Sequence, residues 1–413
     1  MLGRPTLCKG AKDGAPRHCE RVLNPMTEQP NQTRSWTRID GVDCLRALAI
    51  FYVLMNHVNM RLRGARIPYT HGMPKQLVVA LVWQGQPGVQ IFFAVSGFLI
   101  AATTIRRWGT LGDVRIKDFY LIRFARIAPL LLTLLAILSL LHALHVPNYV
   151  VKPQTGGLGR ALVAALTFHI GWLEATRGYL PGNWDILWSL SVEELFYLGF
   201  PLACRFLRGR WLIALLGVFV VLGPFGRTLL THGNDVWQEY SYLGGMDAIA
   251  LGCLTAICLA HRTLKPATVR ACLAGGLTLL ILCLTCSPQL AKLKLEETGL
   301  LMTFVGIGAC LVIAAASQSR WRAPRFVRPL LAYGRNSYEV YLTHMFVVYT
   351  CFDQFVRWGK PLTLVWPLFG VTILLAGALG VLVARFYSEP ANRWLRVRFG
   401  DGPREIGTVL REG

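Results

Sequence analysis

Charge is scarce in this chain. Asp, Glu, Lys and Arg make up 16% of its 413 residues, against roughly 25% in soluble domains, while 54% of the residues are hydrophobic. That is more apolar side chain than one soluble core could hide, which excludes an ordinary soluble globule. Acidic residues are the scarcer sign, 22 against 43 Lys and Arg, leaving a net charge of +21. Such an excess can mark a phosphate binder, but these Lys and Arg fall between apolar runs, where they orient helices against lipid headgroups. No nucleic-acid partner is therefore expected.

Other absences narrow the reading further. The first 40 residues hold no apolar core, so they contain no signal peptide of the usual form; rich in Pro, Arg and Asn, they read as a disordered cytoplasmic tail, with Met26 an alternative start. No repeat recurs at a fixed spacing, and no matched pair of broken helices appears in two halves, which argues against a transporter built on inverted repeats. Cys283 and Cys286 have C-x-x-C spacing but lack a second ligand pair, so no metal is assigned. Most of the eleven cysteines lie inside apolar runs and read as packing residues.

What is present is a series of long apolar runs. Ten of them, near 42–60, 86–104, 126–144, 186–204, 211–230, 242–261, 271–288, 299–317, 338–356 and 364–386, approach the roughly 17 to 25 residues a membrane helix needs, and only as helices can they satisfy their backbone in lipid. An eleventh, 161–174, is short and reads as an interfacial or re-entrant helix. With that assignment, one side of the membrane carries 30 Lys and Arg and the other 11, which places both termini in the cytoplasm by the positive-inside rule. The expected fold is an all-α polytopic bundle of about ten spans: a tail over 1–36, a membrane domain over 37–387 and a cytoplasmic tail over 388–413.

Several residues do not belong in lipid unless they serve a purpose. Arg46 and His57 lie on the first span, eleven residues apart, hence on one helix face and separated by roughly 16 Å. Burying an Arg costs at least ~2.5 kcal/mol, so such groups usually face a wet cavity; the ordinary alternatives are that Arg46 snorkels to the headgroups and His57 caps the helix end. The fourth span, NWDILWSLSVEELFYLGFP, carries Trp188, Ser189, Glu193 and Glu194. Adjacent carboxylates diverge by about 100°, so one of the two glutamates is expected to orient His57 as a general base, the other facing away. The plainer alternative is a structural carboxylate bonded to Ser189, Ser191 or Tyr197.

Three further stretches stand out. On the second span, Ser96 and Gly97 within GVQIFFAVSGFLIAA open room for another backbone or a ligand. The segment 105–126 is arginine-rich and ends in RFARIAP, offering Arg123 and Arg126 to phosphate oxygens of an activated acyl donor, beyond their orienting role. On the ninth span, YGRNSYEVYLTHMF presents Tyr338, Tyr341 and His344, with the last two at i, i+3 and His344 placed to touch a donor.

Together RIDGVDCLRALAI with the Arg46-x10-His57 spacing, GVQIFFAVSGFLI, RFARIAP, WSLSVEELFY and YGRNSYEVYLTH resemble, in order, the bacterial membrane acyltransferase-3 family, over residues 37 to 387. The resemblance implies a roughly ten-helix integral membrane O-acyltransferase of the bacterial inner membrane. Its donor would be acyl-CoA, acetyl-CoA above all, taken from the cytoplasm as co-substrate with no bound cofactor. Its acceptor would be a hydroxyl of a glycan or glycolipid such as lipopolysaccharide. It also implies Arg46, His57 and Glu193 or Glu194 as the catalytic set, and a form without the extracellular esterase-like domain of some relatives. The rival reading is a secondary transporter or flippase using the same Arg, His and Glu as a relay.

Overall fold

Each apolar run expected to cross the bilayer is helical in the structure, a computed structural model that describes residues 39–207, 209–231, 233–319 and 321–399. The expected tail over 1–36 lies outside these residues, as do residues 400–413. The first long helix, α1 (Asp40–Gly64), is followed by a short α2 (Lys75–Val82), then α3 (Gly85–Trp108) and α4 (Ile116–Ala143). Two short helices, α5 (Gly157–Leu166) and α6 (Ile170–Arg177), come next. At about 1.5 Å per residue neither can cross a bilayer, which matches the interfacial or re-entrant segment expected there. One turn, α7 (Gly182–Asp185), leads into α8 (Leu187–Phe206); then come α9 (Arg210–Arg227), a five-residue α10 (Asp235–Glu239), α11 (Tyr242–Leu259) and α12 (Pro266–Thr285). The chain continues through α13 (Ser287–Lys292), α14 (Leu300–Gln318), α15 (Arg328–Arg335), α16 (Ser337–Arg357), α17 (Val365–Val383) and α18 (Glu389–Phe399).

Among the described residues nine helical stretches are long and apolar enough to cross a membrane. The tenth expected span is α16, which is long enough but carries Glu339, His344, Asp353 and Arg357 and falls short in apolarity. No strand occurs among the described residues, so the chain is an all-α, multi-pass membrane bundle. The segment expected as a tail from residue 388 begins helical: α17 runs through a π-helical turn, Ala384–Ser388, directly into α18.

Inverted burial confirms the solvent. Leu273, Leu277, Ile281 and Leu282 of α12 are exposed on the bundle's outside, as apolar side chains facing lipid should be. Inside, small residues let backbones meet. A Cβ on Gly97 would run into the backbone of Ile249, and one on Gly252 into that of Ala94, so α3 and α11 cross in direct main-chain contact. Of the two uses that Gly97 offers, room for another backbone or for a ligand, this helix crossing takes the first. Gly334 does the same at the end of α15, against the main chain of Asp43 in α1.

That contact defines one end of the bundle, the base, where α1 and α16 begin. Asp40 and Asp43 occupy the first turn of α1, as the helix dipole favours, and Arg335 bonds Asp43 at 2.9 Å. At the opposite end, the top, Gly182 donates its amide to the Tyr349 hydroxyl at 2.9 Å. Between α9 and α11, Arg227 pairs with the fully buried Asp247 at 2.6 Å and also donates to the Gly299 carbonyl at 2.8 Å. Gln90 of α3 and Thr303 of α14 donate to the same carboxylate, each at 2.7 Å. Removing one partner of such a buried pair costs about 3–5 kcal/mol, so this network fixes four helices together.

Candidate active site

The largest share of the expected site residues converge on one cavity of about 380 Å³ inside the bundle, within the size range of small-molecule sites. Arg46, Ser96, Arg123, Arg126, Ser189, Glu193, Tyr338 and Tyr341 all line it. They come from α1, α3, α4, α8 and α16, five helices brought together by the crossings above. Arg335 and Ser337, both within YGRNSYEVYLTHMF, line it too.

Four guanidinium groups thus face one space with a single carboxylate, that of Glu193. The four are tied unequally, Arg335 to Asp43 and Asp40 at 2.9 and 3.6 Å. Arg46 is 3.7 Å from Asp43 and donates to the Arg335 carbonyl at 3.4 Å. Arg123 lies 3.3 Å from Glu194, stacks over the Tyr197 ring at 3.9 Å, and keeps a buried Nε–H with no acceptor. Arg126 forms a fork on Glu339, at 2.7 and 3.3 Å, beneath the Tyr338 ring. A guanidinium has five donors, and an orphaned buried one costs about 1–3 kcal/mol; the arrangement is made for an anionic oxygen ligand.

The upper wall is built by a break in a helix. Between α7 and α8 the Ile186 carbonyl is taken up by side chains, accepting from Ser189 at 3.3 Å and from the Tyr341 hydroxyl at 3.0 Å. The two hydroxyl oxygens are also 2.7 Å apart, so one of their two hydrogens is shared between the carbonyl and the other hydroxyl. Tyr341 meets Phe92 edge-on, with ring centres 6.3 Å apart. Ser96 shares a short hydrogen bond with Tyr197, so it is tied to α8 rather than free as a nucleophile.

His57 and His344 stand together behind that wall. Their ring centres are 5.0 Å apart, and His344 is 5.7 Å from Tyr341. His344 Nδ1 is 2.6 Å from the Tyr341 carbonyl; since a carbonyl can only accept, Nδ1 carries the proton and Nε2 keeps its lone pair. Nε2 is buried and has no partner. Gly88 packs on Ala49, Tyr52 and Val53 of α1, one to two turns before His57, so the cavity that Val89 lines lies on the base side of the two imidazoles, and neither ring is part of its lining.

The expected pairing of His57 with a glutamate is not what these helices make. Glu194 is held by Arg123, and Glu193 turns into the cavity within reach of Arg123, Ser96 and Arg46. Among the described residues neither glutamate bonds His57, whose neighbour is a second imidazole. Trp188 also departs from this cavity: it stacks on Tyr240 at 4.5 Å and lines a separate cleft. No group of three or more His, Cys, Asp or Glu among the described residues is placed to hold a metal ion.

An acyltransferase domain profile matches residues 39–384, most of the chain. The chain belongs to the acyltransferase-3 family. It is similar to the O-acetyltransferase OatA of Staphylococcus aureus strain NCTC 8325 / PS 47 and to that of strain COL, in each case 23% identical over 399 residues, 90% of this chain. The chain spans 60% of the length of those relatives. No solved structure matches it. Within this acyltransferase-3 chain the sequence passed over Arg335 and Glu339. The second was legible in principle, since a carboxylate two residues before Tyr341 in a membrane helix needs a cation, and Arg126 is that cation.

Proposed function

We propose that the chain is a membrane O-acyltransferase that moves an acyl group, in the simplest case acetyl, from acyl-CoA at the base to a hydroxyl of a glycan or glycolipid reaching in from the top. In this reading it works in the bacterial inner membrane, with the base and both termini in the cytoplasm, as the 30 to 11 division of basic residues supports. The observation that carries the reading is the arginine-lined cavity with its orphaned Arg123 Nε–H. Phosphate oxygens of CoA supply the acceptor that Arg123 lacks, with the other guanidinium groups beside it, and the thioester arm rises toward Tyr341.

The acceptor oxygen then attacks the thioester carbonyl carbon. Its proton passes to His57 as the C–O bond forms; the C–S bond breaks, and the proton moves on to the departing CoA thiolate. His344, with Nδ1–H fixed on the Tyr341 carbonyl, positions the His57 ring. Glu193 and Glu194 set the arginines in place and keep the cavity's charge from becoming prohibitive.

The test is mass spectrometry of cell-surface glycans from cells with the gene intact, deleted, or carrying His57→Ala. The expected result is one acyl mass increment that disappears in both altered strains. Identical spectra in all three would end the reading.

A further inference from the structure

A second cavity opens near the top, about 700 Å³ in volume, between α2, α3, α8, α10 and the end of α13. Its lining differs in kind from the arginine cavity. Trp83, 42% exposed, lies at its edge, and Trp188, fixed by stacking on Tyr240, is at its inner end. Between the two indoles stand Gln86 and Gln238, side-chain amides that both donate and accept. Asp235 and Glu239 add acceptors, and Lys75 a cation. Lys75, Asp235 and Gln238 make no side-chain hydrogen bond or ion pair among the described residues, while Gln86 donates to Glu239 at 2.8 Å.

Charge decides what such a cleft can take. Its other cation, Arg227, is consumed by Asp247, Gly299 and Thr303. Lys75 then faces Asp235, Glu239 and Glu296, so a phosphate or carboxylate ligand meets net repulsion. Arg63 covers one face of Trp83 at 4.6 Å and Tyr240 one face of Trp188 at 4.5 Å; a ring bearing several hydroxyls meets the remaining apolar surface and amide or carboxylate partners, the mixture that fixes a neutral polar ligand. Depth decides the rest. Phe93 lines both this cleft and the arginine cavity, and Trp188 here directly precedes Ser189 there.

We propose that this cleft is the acceptor site, that it takes an uncharged hydroxyl-rich sugar ring rather than an anionic one, and that the reacting hydroxyl passes Phe93 to meet the thioester. The proposal rests on the acyl-transfer reading and adds where the acceptor binds and which charge it carries.

The test uses the full chain in cells, with acylation of surface glycans measured by mass spectrometry, and the purified full chain, with protection from thermal unfolding by acetyl-CoA. Trp83→Ala and Gln238→Ala are expected to lower glycan acylation by roughly tenfold or more, the worth of one lost well-made contact, while acetyl-CoA protection stays as in the unaltered chain. Gln238→Ala provides the reading if Trp83→Ala disturbs α2, because Gln238 is exposed and unbonded. Unchanged acylation in Gln238→Ala and Trp83→Ala overturns the cleft and leaves acyl transfer standing, as does an acylated residue found to be a uronic acid or a phosphorylated sugar. If the unaltered gene adds no acyl group to any glycan, the acyl-transfer reading falls first and takes the cleft with it.

Discussion

His57 of α1 and His344 of α16 face each other with ring centres 5.0 Å apart, outside the lining of the cavity that four arginines share. Two imidazoles so close cannot both take up a second proton without repulsion, and the Tyr341 carbonyl fixes which nitrogen of neutral His344 carries the hydrogen. The pair is therefore asymmetric, with His57 half-exposed and His344 fully buried.

Replacing the two rings should separate their roles. His57→Ala is expected to lower acyl transfer by about 10²–10⁴-fold, the usual worth of a general base, with acetyl-CoA protection retained. His344→Ala should cost less in rate and should shift the pH profile of kcat, since the ring beside His57 is gone. A His344→Ala profile superimposable on that of the unaltered enzyme would reduce His344 to packing.

Arg123 separates donor binding from chemistry. With its orphaned Nε–H offered to the ligand, Arg123→Ala should raise KM for acetyl-CoA by roughly tenfold or more, as expected for a hydrogen bond to a charged group. Steady-state kinetics on purified enzyme measure it. A loss confined to kcat would place the donor's phosphates elsewhere.

Gly97→Ala should act through the fold. The added methyl meets the Ile249 main chain, which cannot swing aside as a side chain would, and overpacking of this kind costs about 1–3 kcal/mol. Thermal unfolding in detergent should show it, while KM for acetyl-CoA in the surviving folded protein remains that of the parent.

Outside the spans, Glu174 gives a pH dependence with a definite sign. Burial, reinforced by the nearby Asp185, raises its carboxyl well above the ordinary 4.5; one oxygen accepts from the Leu180 amide at 2.9 Å and the other has no partner. The folded chain therefore holds this proton more tightly than the unfolded one. Its contribution to stability is complete below about pH 4.5 and is lost as pH climbs through the folded value. Melting temperature across pH 4 to 8 should fall more steeply for the parent than for Glu174→Gln. Parallel curves would contradict the assignment.

The helices were legible because a membrane span declares itself in one dimension: length and apolarity suffice for α1, α3, α4 or α14, and periodicity on a single helix put Arg46 and His57 on one face. Partnership between helices is not written that way. Nothing in WSLSVEELFY says that Arg123 will claim Glu194, or that Glu193 will line the arginine cavity, because rotation and depth of one helix against another are settled by contacts such as Gly97 on Ile249 and Gly334 on Asp43. Arg335 escaped notice for a related reason. In the sequence it closes a basic stretch that orientation alone explains, and only the seating of α15 beneath α1 brings it to the cavity.

Phe93 borders both compartments, so a single phenyl ring parts a space rich in cations from one rich in acids and amides. Insulation across this protein is accordingly thin at that point. The ring past which the two reactants would meet is itself held edge-on against Trp188 at 6.2 Å, so the partition between the two compartments depends on that one aromatic contact.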